Sequence, residues 1–205
     1  TELTIHDLER ALKIEPKNWR VYKYLIDFYM KNAAYPQALE YAQKAGNLFK
    51  NNFVIQMDLA KAELYNEEYG KCLKRLDKLV VLPAEGAQEG HALYRQAHLL
   101  ESVNLFRKGK MDQALKHIQM AHLWPENLGV GKPYTSDERV EDYLEGLIYL
   151  QQKDDAKAAK AFQQVVHFSE GKKPSWGAPN LLLAWSLDFL GQSDKAEILL
   201  SQWLR

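Results

Sequence analysis

The sequence predicts an all-α protein, a right-handed α-solenoid of about eleven helices stacked as antiparallel hairpins. Three observations predict it. All seven prolines (Pro16, Pro36, Pro83, Pro125, Pro133, Pro174 and Pro179) fall between helical stretches or at their first turns, and a proline inside a helix costs about 3 kcal/mol. Apolar residues recur at helical spacing, and no stretch alternates as a half-buried strand does. The helical pairs then return with a period of thirty-four residues, which marks an array of repeats.

Taken in order, Leu8 to Ile14 followed by Pro16-Lys17-Asn18 reads as the closing helix of a unit. Residues 1–18 are therefore expected to be the second helix of a truncated repeat whose first helix lies upstream of Thr1, so that the chain is a piece of a longer protein; a lone capping helix is the alternative. Trp19, Tyr22, Leu25, Ile26, Tyr29 and Met30 form one stripe, and Leu39, Ala42, Ala45 and Leu48 form the next. The turn between them ends in Pro36, whose missing N–H is harmless in the first turn of a helix. That hairpin occupies 19–52. The frame recurs over 53–86, over 87–128 after an insertion, over 129–172 as a Gly/Pro loop and a repeat, and over 173–205 as a loop and a last repeat. One second-helix position is small in every unit: Ala38, Cys72, Ala114, Ala158 and Ala196. Two helices of a hairpin touch there, and a larger side chain would hold them apart. Thr135-Ser136-Asp137-Glu138 reads as a capping box opening a helix, and Asp154-Asp155 as a helix start.

The phrases Tyr35-Pro36-Gln37-Ala38-Leu39-Glu40-Tyr41-Ala42 and Lys108-Gly109-Lys110-Met111-Asp112-Gln113-Ala114-Leu115 resemble the tetratricopeptide repeat, and the resemblance covers essentially the whole chain. Departures occur at Glu63, where an aromatic is usual, and at Asp142 and Glu145, where apolar residues are usual. The stretch from Pro125 to Tyr134, followed by Arg139-Val140-Glu141-Asp142-Tyr143, resembles the C-terminal repeat region of large bacterial proteins that carry an N-terminal domain of unknown function. The resemblance implies a superhelical scaffold without assigned catalytic chemistry. Some members of the repeat family clamp a peptide carboxylate with Lys and Asn from successive repeats. The matching positions here are Lys23, Asp27, Asp58, Gln96 and Leu100, and that clamp is not reproduced.

Composition narrows the function. The 205 residues carry 27 Lys+Arg and 27 Asp+Glu, so the net charge is zero and no electrostatic footprint of a general nucleic-acid binder is expected. No apolar run is long enough for a membrane span, so no membrane insertion is expected. One cysteine, Cys72, excludes an internal disulfide and a cysteine-rich zinc module. No signal peptide is visible; the cytoplasm is the favoured compartment, although a targeting segment upstream of Thr1 would escape notice.

The chemical motifs are weak. Gly129-Val130-Gly131-Lys132-Pro133 lacks the upstream glycine and the following Ser or Thr of a phosphate-binding loop, so it reads as a shaped loop. His91 with His98, and His117 with His122, are not spaced as zinc ligands, and neither metal nor cofactor is expected. The acid pairs read as caps, and no serine lies in a nucleophile elbow. Cys72 reads as a buried, inert thiol. No enzymatic activity is expected.

What remains is the inner face formed by the first helix of each hairpin. Its expected residues are Arg20, Lys23, Asp27 and Lys31, then Val54, Met57, Lys61 and Tyr65. They continue as Gln96, Leu99, Val103 and Phe106, then Val140, Tyr143, Leu147 and Leu150, and finally Leu181, Trp185 and Phe189. The face turns from charged to apolar. Leu99, Val103, Tyr143, Leu147, Trp185 and Phe189 are the expected partner-binding groove, with Tyr143 and Trp185 as anchors. Gly129, Gly131, Lys132 and Tyr134 are expected to form a loop wall. Either the 127–134 or the 172–177 insertion is an alternative cover for the same face. The function expected is a non-catalytic scaffold for a protein or peptide partner, or for an upstream domain of the same polypeptide. The rival is an accessory or regulatory portion of an enzyme whose catalytic domain lies upstream of residue 1.

Overall fold

The computed structural model describes residues 4–83, 88–172 and 177–203. Among these the chain forms eleven α-helices and no strand. They are α1 (Ile5–Ile14), α2 (Trp19–Lys31), α3 (Tyr35–Leu48), α4 (Phe53–Tyr65), α5 (Tyr69–Leu76), α6 (Glu89–Arg107), α7 (Met111–Ala121), α8 (Arg139–Gln151), α9 (Asp155–Ser169), α10 (Ala178–Phe189) and α11 (Ser193–Trp203). The chain divides into two compact units. The first runs to Leu100 and takes in Trp124–Gly131; the second comprises Glu101–Leu123 and the chain from Lys132 onward, so the division falls within α6.

In the first unit, polar residues before each helix set its start. Thr4 and Asp7 form a reciprocal capping box on α1, Asn18 caps α2 through Arg20 N, and Asn52 caps α4 through Val54 N and Ile55 N. Pro36 stands in the first turn of α3. Helices α2, α3 and α4 pack in sequence around Tyr22, Ile26, Ala42, Ala45, Ile55, Leu59 and Ala62. The contact is tight: a Cβ added at Gly46 of α3 would stand 2.6 Å from Leu59 Cδ2.

Glu63 explains its own departure from the repeat pattern. It is 2% exposed, and Arg75 of α5 grips both of its oxygens, Nε to Oε2 at 3.0 Å and Nη2 to Oε1 at 2.7 Å. Arg75 Nη1 donates to Gln56 Oε1, and Gln56 Nε2 donates to the carbonyls of Gly46 and Phe49. A ring in this slot would fill space by dispersion. The charged pair fills it with satisfied hydrogen bonds instead, which a buried carboxylate requires.

The Pro125–Gly131 stretch belongs to this unit. Asn127 Nδ2 donates to the carbonyls of Leu76 and Leu79, at 2.9 and 2.7 Å, so it serves the last turn of α5. Val81 N donates to Asn127 O. Leu128 is buried beside Gly90, which also lies against Met57. Met57, expected on the inner face, is buried at 7% exposure and lies against Gly90.

In the second unit, α7 packs on α8, α8 on α9, α9 on α10, and α10 on α11. Ser102 of α6 donates to the Ala114 carbonyl of α7 at 3.0 Å. Across both units, Ala38, Cys72, Ala114, Ala158 and Ala196 are all buried. Asp154 caps α9 through Lys157 N, as its position implied. The capping box at Thr135–Glu138 does not form. Helix α8 starts at Arg139, and Asp137 holds it from outside by accepting from Arg139 N, Nε and Nη2. Ser136 donates instead to Glu138. Lys132 and His122 also stand on the Glu138 carboxylate, so the acid of the expected box is taken by side chains and not by a backbone N–H.

Candidate functional site

The charged end of the expected inner face neutralises itself. In the first unit Lys23 Nζ stands 3.1 Å from an Asp27 oxygen and 3.4 Å from an Asp58 oxygen, and Lys61 pairs with Glu89 at 2.9 Å. Burial pushes the Asp58 carboxyl up to about 6; Lys23 pulls against that shift and Asp27 adds to it. For Lys23, burial opposes the charge, but Asp58 and Asp27 outweigh it and hold the ammonium above its ordinary range. The three side chains that occupy carboxylate-clamp positions thus face one another.

The apolar end gathers in the second unit. Tyr143 of α8 lies with its ring centroid 5.8 Å from Trp185 of α10, tilted by 34°, and 5.6 Å from Phe162 of α9. Phe162 in turn stacks on Phe189 of α10 at 4.8 Å and 14°. Four rings from three helices therefore form one continuous set. Its floor, Phe162, is fully buried, whereas Trp185 is 47% and Phe189 52% exposed. Val140, also on α8, is exposed. Burial raises the Tyr143 phenol above its ordinary value.

Gly146 makes this arrangement possible. It lies three residues along α8 from Tyr143, and a Cβ built there would stand 2.6 Å from Phe162 Cε1 and 2.7 Å from Cζ. A glycine in mid-helix costs about 1 kcal/mol against alanine; here it opens the slot that admits the Phe162 ring. Phe162 is not among the inner-face positions read from the sequence. Its pairing with Gly146, in the preceding helix, is the signal that marks it as the floor of the patch.

The other expected groove residues are placed as follows. Leu99 is half-buried in the first unit; Val103 and Leu147 are half-buried in the second. The expected wall residues are not gathered on one neighbour. Gly129 has φ +75°, and a Cβ there would stand 2.9 Å from the Val81 carbonyl oxygen, so it docks on the Val81-Leu82 backbone. An added Cβ at Gly131 would meet nothing within 4 Å. Lys132 pairs with Glu138 at 2.6 Å, which also faces His122 at 3.2 Å. Tyr134 is fully exposed. The part of the 172–177 insertion proposed as a cover, residues 173–176, lies outside the described residues.

No chemistry is assembled elsewhere in the described residues. His91 stacks on Trp124 with centroids 3.4 Å apart, and His98 meets the edge of Tyr94. Among the described residues no group of three His, Cys, Asp or Glu is placed to hold a metal. Burial pushes the Cys72 thiol up to about 12, where it is protonated and unreactive. Beside Tyr143, burial pushes the Asp142 carboxyl up to about 6; His122 pulls it down, and Glu138, Glu145 and Glu141 push it up. No helix among the described residues is long and apolar enough to cross a membrane.

No protein-family model matches the sequence, and no curated protein does. Solved structures do match. The chain is similar to a kinesin light chain of Podosopora anserina with nearly identical TPR-like repeats, at 15% identity and a TM-score of 0.52, covering 92% of this chain and 93% of that one. It is also similar to a chain of the APC/C hetero-tetramer Cut9–Hcn1, at 14% identity and a TM-score of 0.53, covering 96% of this chain but 35% of that one. The fold is that of a tetratricopeptide-repeat array, an all-α chain of helix hairpins packed in sequence.

Proposed function

We propose that this chain is a non-catalytic interaction scaffold whose docking surface is the aromatic patch of the second unit. The observation that carries this reading is the pairing of Trp185 and Phe189, each about half exposed, with Tyr143 and Phe162, which tie them into the packed helices. Aromatic side chains bury about 150–250 Å² each, so the exposed parts of Trp185 and Phe189 amount to roughly 200 Å² of ring surface. At about 25 cal/mol per Å², covering it is worth about 5 kcal/mol before association costs. The patch is preformed, so a partner finds little to order on this side. The occupant it suits is a peptide or helix presenting apolar side chains, with Tyr143 and Trp185 as anchors. The similar chain of the Cut9–Hcn1 hetero-tetramer was solved within that assembly, which is consistent with such a role.

The test is capture from lysate of the source cell by the immobilised chain, beside a folded Tyr143→Ala/Trp185→Ala variant, followed by titration of any retained protein. Loss of two aromatic anchors should weaken that partner by about 2–4 kcal/mol, thirtyfold or more. A partner retained equally by parent and variant refutes the assignment of the patch.

A further inference from the structure

We infer that the first unit carries a separate binding site: a basic cleft shaped for an extended acidic peptide segment. The cleft has a volume of about 600 Å³ and lies between the α3–α4 link, α4 and α5. Five cations line it: Lys50, Lys71, Lys74, Arg75 and Lys78. Glu63 is the one carboxylate in the described lining, and Arg75 already holds both of its oxygens. Lys71 is paired with Glu68 at 2.8 Å. Lys50, Lys74 and Lys78 have no ion-pair partner among the described residues. A chain with zero net charge therefore concentrates uncompensated positive charge in one hollow. Such a concave single-sign surface focuses the field toward an anion.

The geometry selects the kind of anion. Lys71 and Lys74 lie on α5 and Lys78 in the turn that closes it, so the row is about 10 Å long at 1.5 Å per residue. Alternate side chains of an extended peptide repeat at about 6.6 Å, so acidic residues at alternating positions match this row. A compact phosphate wants converging donors, and two of those at the start of α4 are taken, because Asn52 caps Val54 N and Ile55 N. The guanidinium of Arg75 is committed to Glu63 and Gln56. Spread ammonium groups suit spread carboxylates. At one end, Phe53 is 51% exposed and borders a second hollow shared with the half-exposed Leu48. That lip would take one apolar side chain of the same segment.

The site is independent of the aromatic patch, so the two readings fail separately. The test uses the whole chain and a labelled synthetic nonapeptide, with Asp or Glu at alternating positions and one terminal Leu, followed by fluorescence anisotropy at low and high salt. Binding is expected to weaken with salt, to weaken about tenfold or more in Lys74→Glu/Lys78→Glu, and to be unchanged in Tyr143→Ala/Trp185→Ala. Both lysines are exposed, so the variant should keep the parent's melting curve; Lys74→Gln/Lys78→Gln reports the same loss in smaller degree. No binding at about 1 mM peptide in low salt, or equal binding by the lysine variants, overturns the proposal. Tighter binding of tripolyphosphate than of the peptide overturns the assignment to a peptide.

Discussion

Exchanging Arg75 for methionine is expected to destabilise the protein by about 3 kcal/mol, because it strands a buried carboxylate. The Glu63 side chain is 3% exposed and both of its oxygens accept from one guanidinium. Removing one partner of a buried pair costs about 3–5 kcal/mol. Arg75 is itself 28% exposed, so water reaches the vacated space and the lower end applies. Gln56 also loses its donor. At this chain length 1 kcal/mol shifts a melting point by about 2–4 °C, so a fall of about 6–12 °C follows. The pair's net worth is a different quantity. Glu63→Leu/Arg75→Met replaces both charges with apolar groups of similar size, and should return to within about 1 kcal/mol of the parent. Urea denaturation of parent, both single variants and the double variant at neutral pH closes the cycle. A cost below about 0.5 kcal/mol for Arg75→Met, or a double variant as unstable as the sum of the singles, refutes the reasoning.

Two further outcomes follow from buried groups. Asp58 titrates near 6 in the folded chain against an ordinary 3.8, so the fold holds that proton more tightly than the unfolded chain does. Its contribution to stability is full below the unfolded value and is lost as pH rises through about 6, worth on the order of 2–3 kcal/mol. Urea midpoints at mildly acidic and neutral pH should therefore fall more steeply in the parent than in Asp58→Asn, and equal slopes refute the assignment. Cys72, whose thiol burial pushes up to about 12, should react with an aromatic disulfide reagent only at the rate of local opening; a fast native-state reaction at neutral pH refutes its burial.

Helix positions were legible because they follow from local rules. Prolines bar helix interiors, and a small residue marks each hairpin contact. What escaped reading depends on residues far apart in sequence. The Thr135–Glu138 capping box is a local signal defeated by other partners of its acid, since Glu138 is held by Ser136, Lys132 and His122. Asn127 reads locally as a turn residue, yet it serves carbonyls on α5. Of the aromatic patch, Tyr143, Trp185 and Phe189 were readable from the inner-face positions. Phe162 was not, because its ring enters through a gap left by a glycine on another helix. The basic cleft was likewise hidden: its lysines look like the ordinary polar face of α5 until the α3–α4 link closes the hollow beside them.

The reach of Asn127 across 51 residues to Leu76 also orders events in time. An array of sequence-local hairpins can be completed one unit after another as the chain leaves the ribosome. This one cannot, because the first unit takes in Trp124–Gly131. At about 5–20 residues per second, the thirty-one residues after Leu100 take about 2–6 seconds to arrive. Until then the Leu76 and Leu79 carbonyls lack the Asn127 amide, and the space beside Gly90 lacks Leu128. A chain ended after Leu123 would keep every α-helix of the first unit and still carry it unfinished.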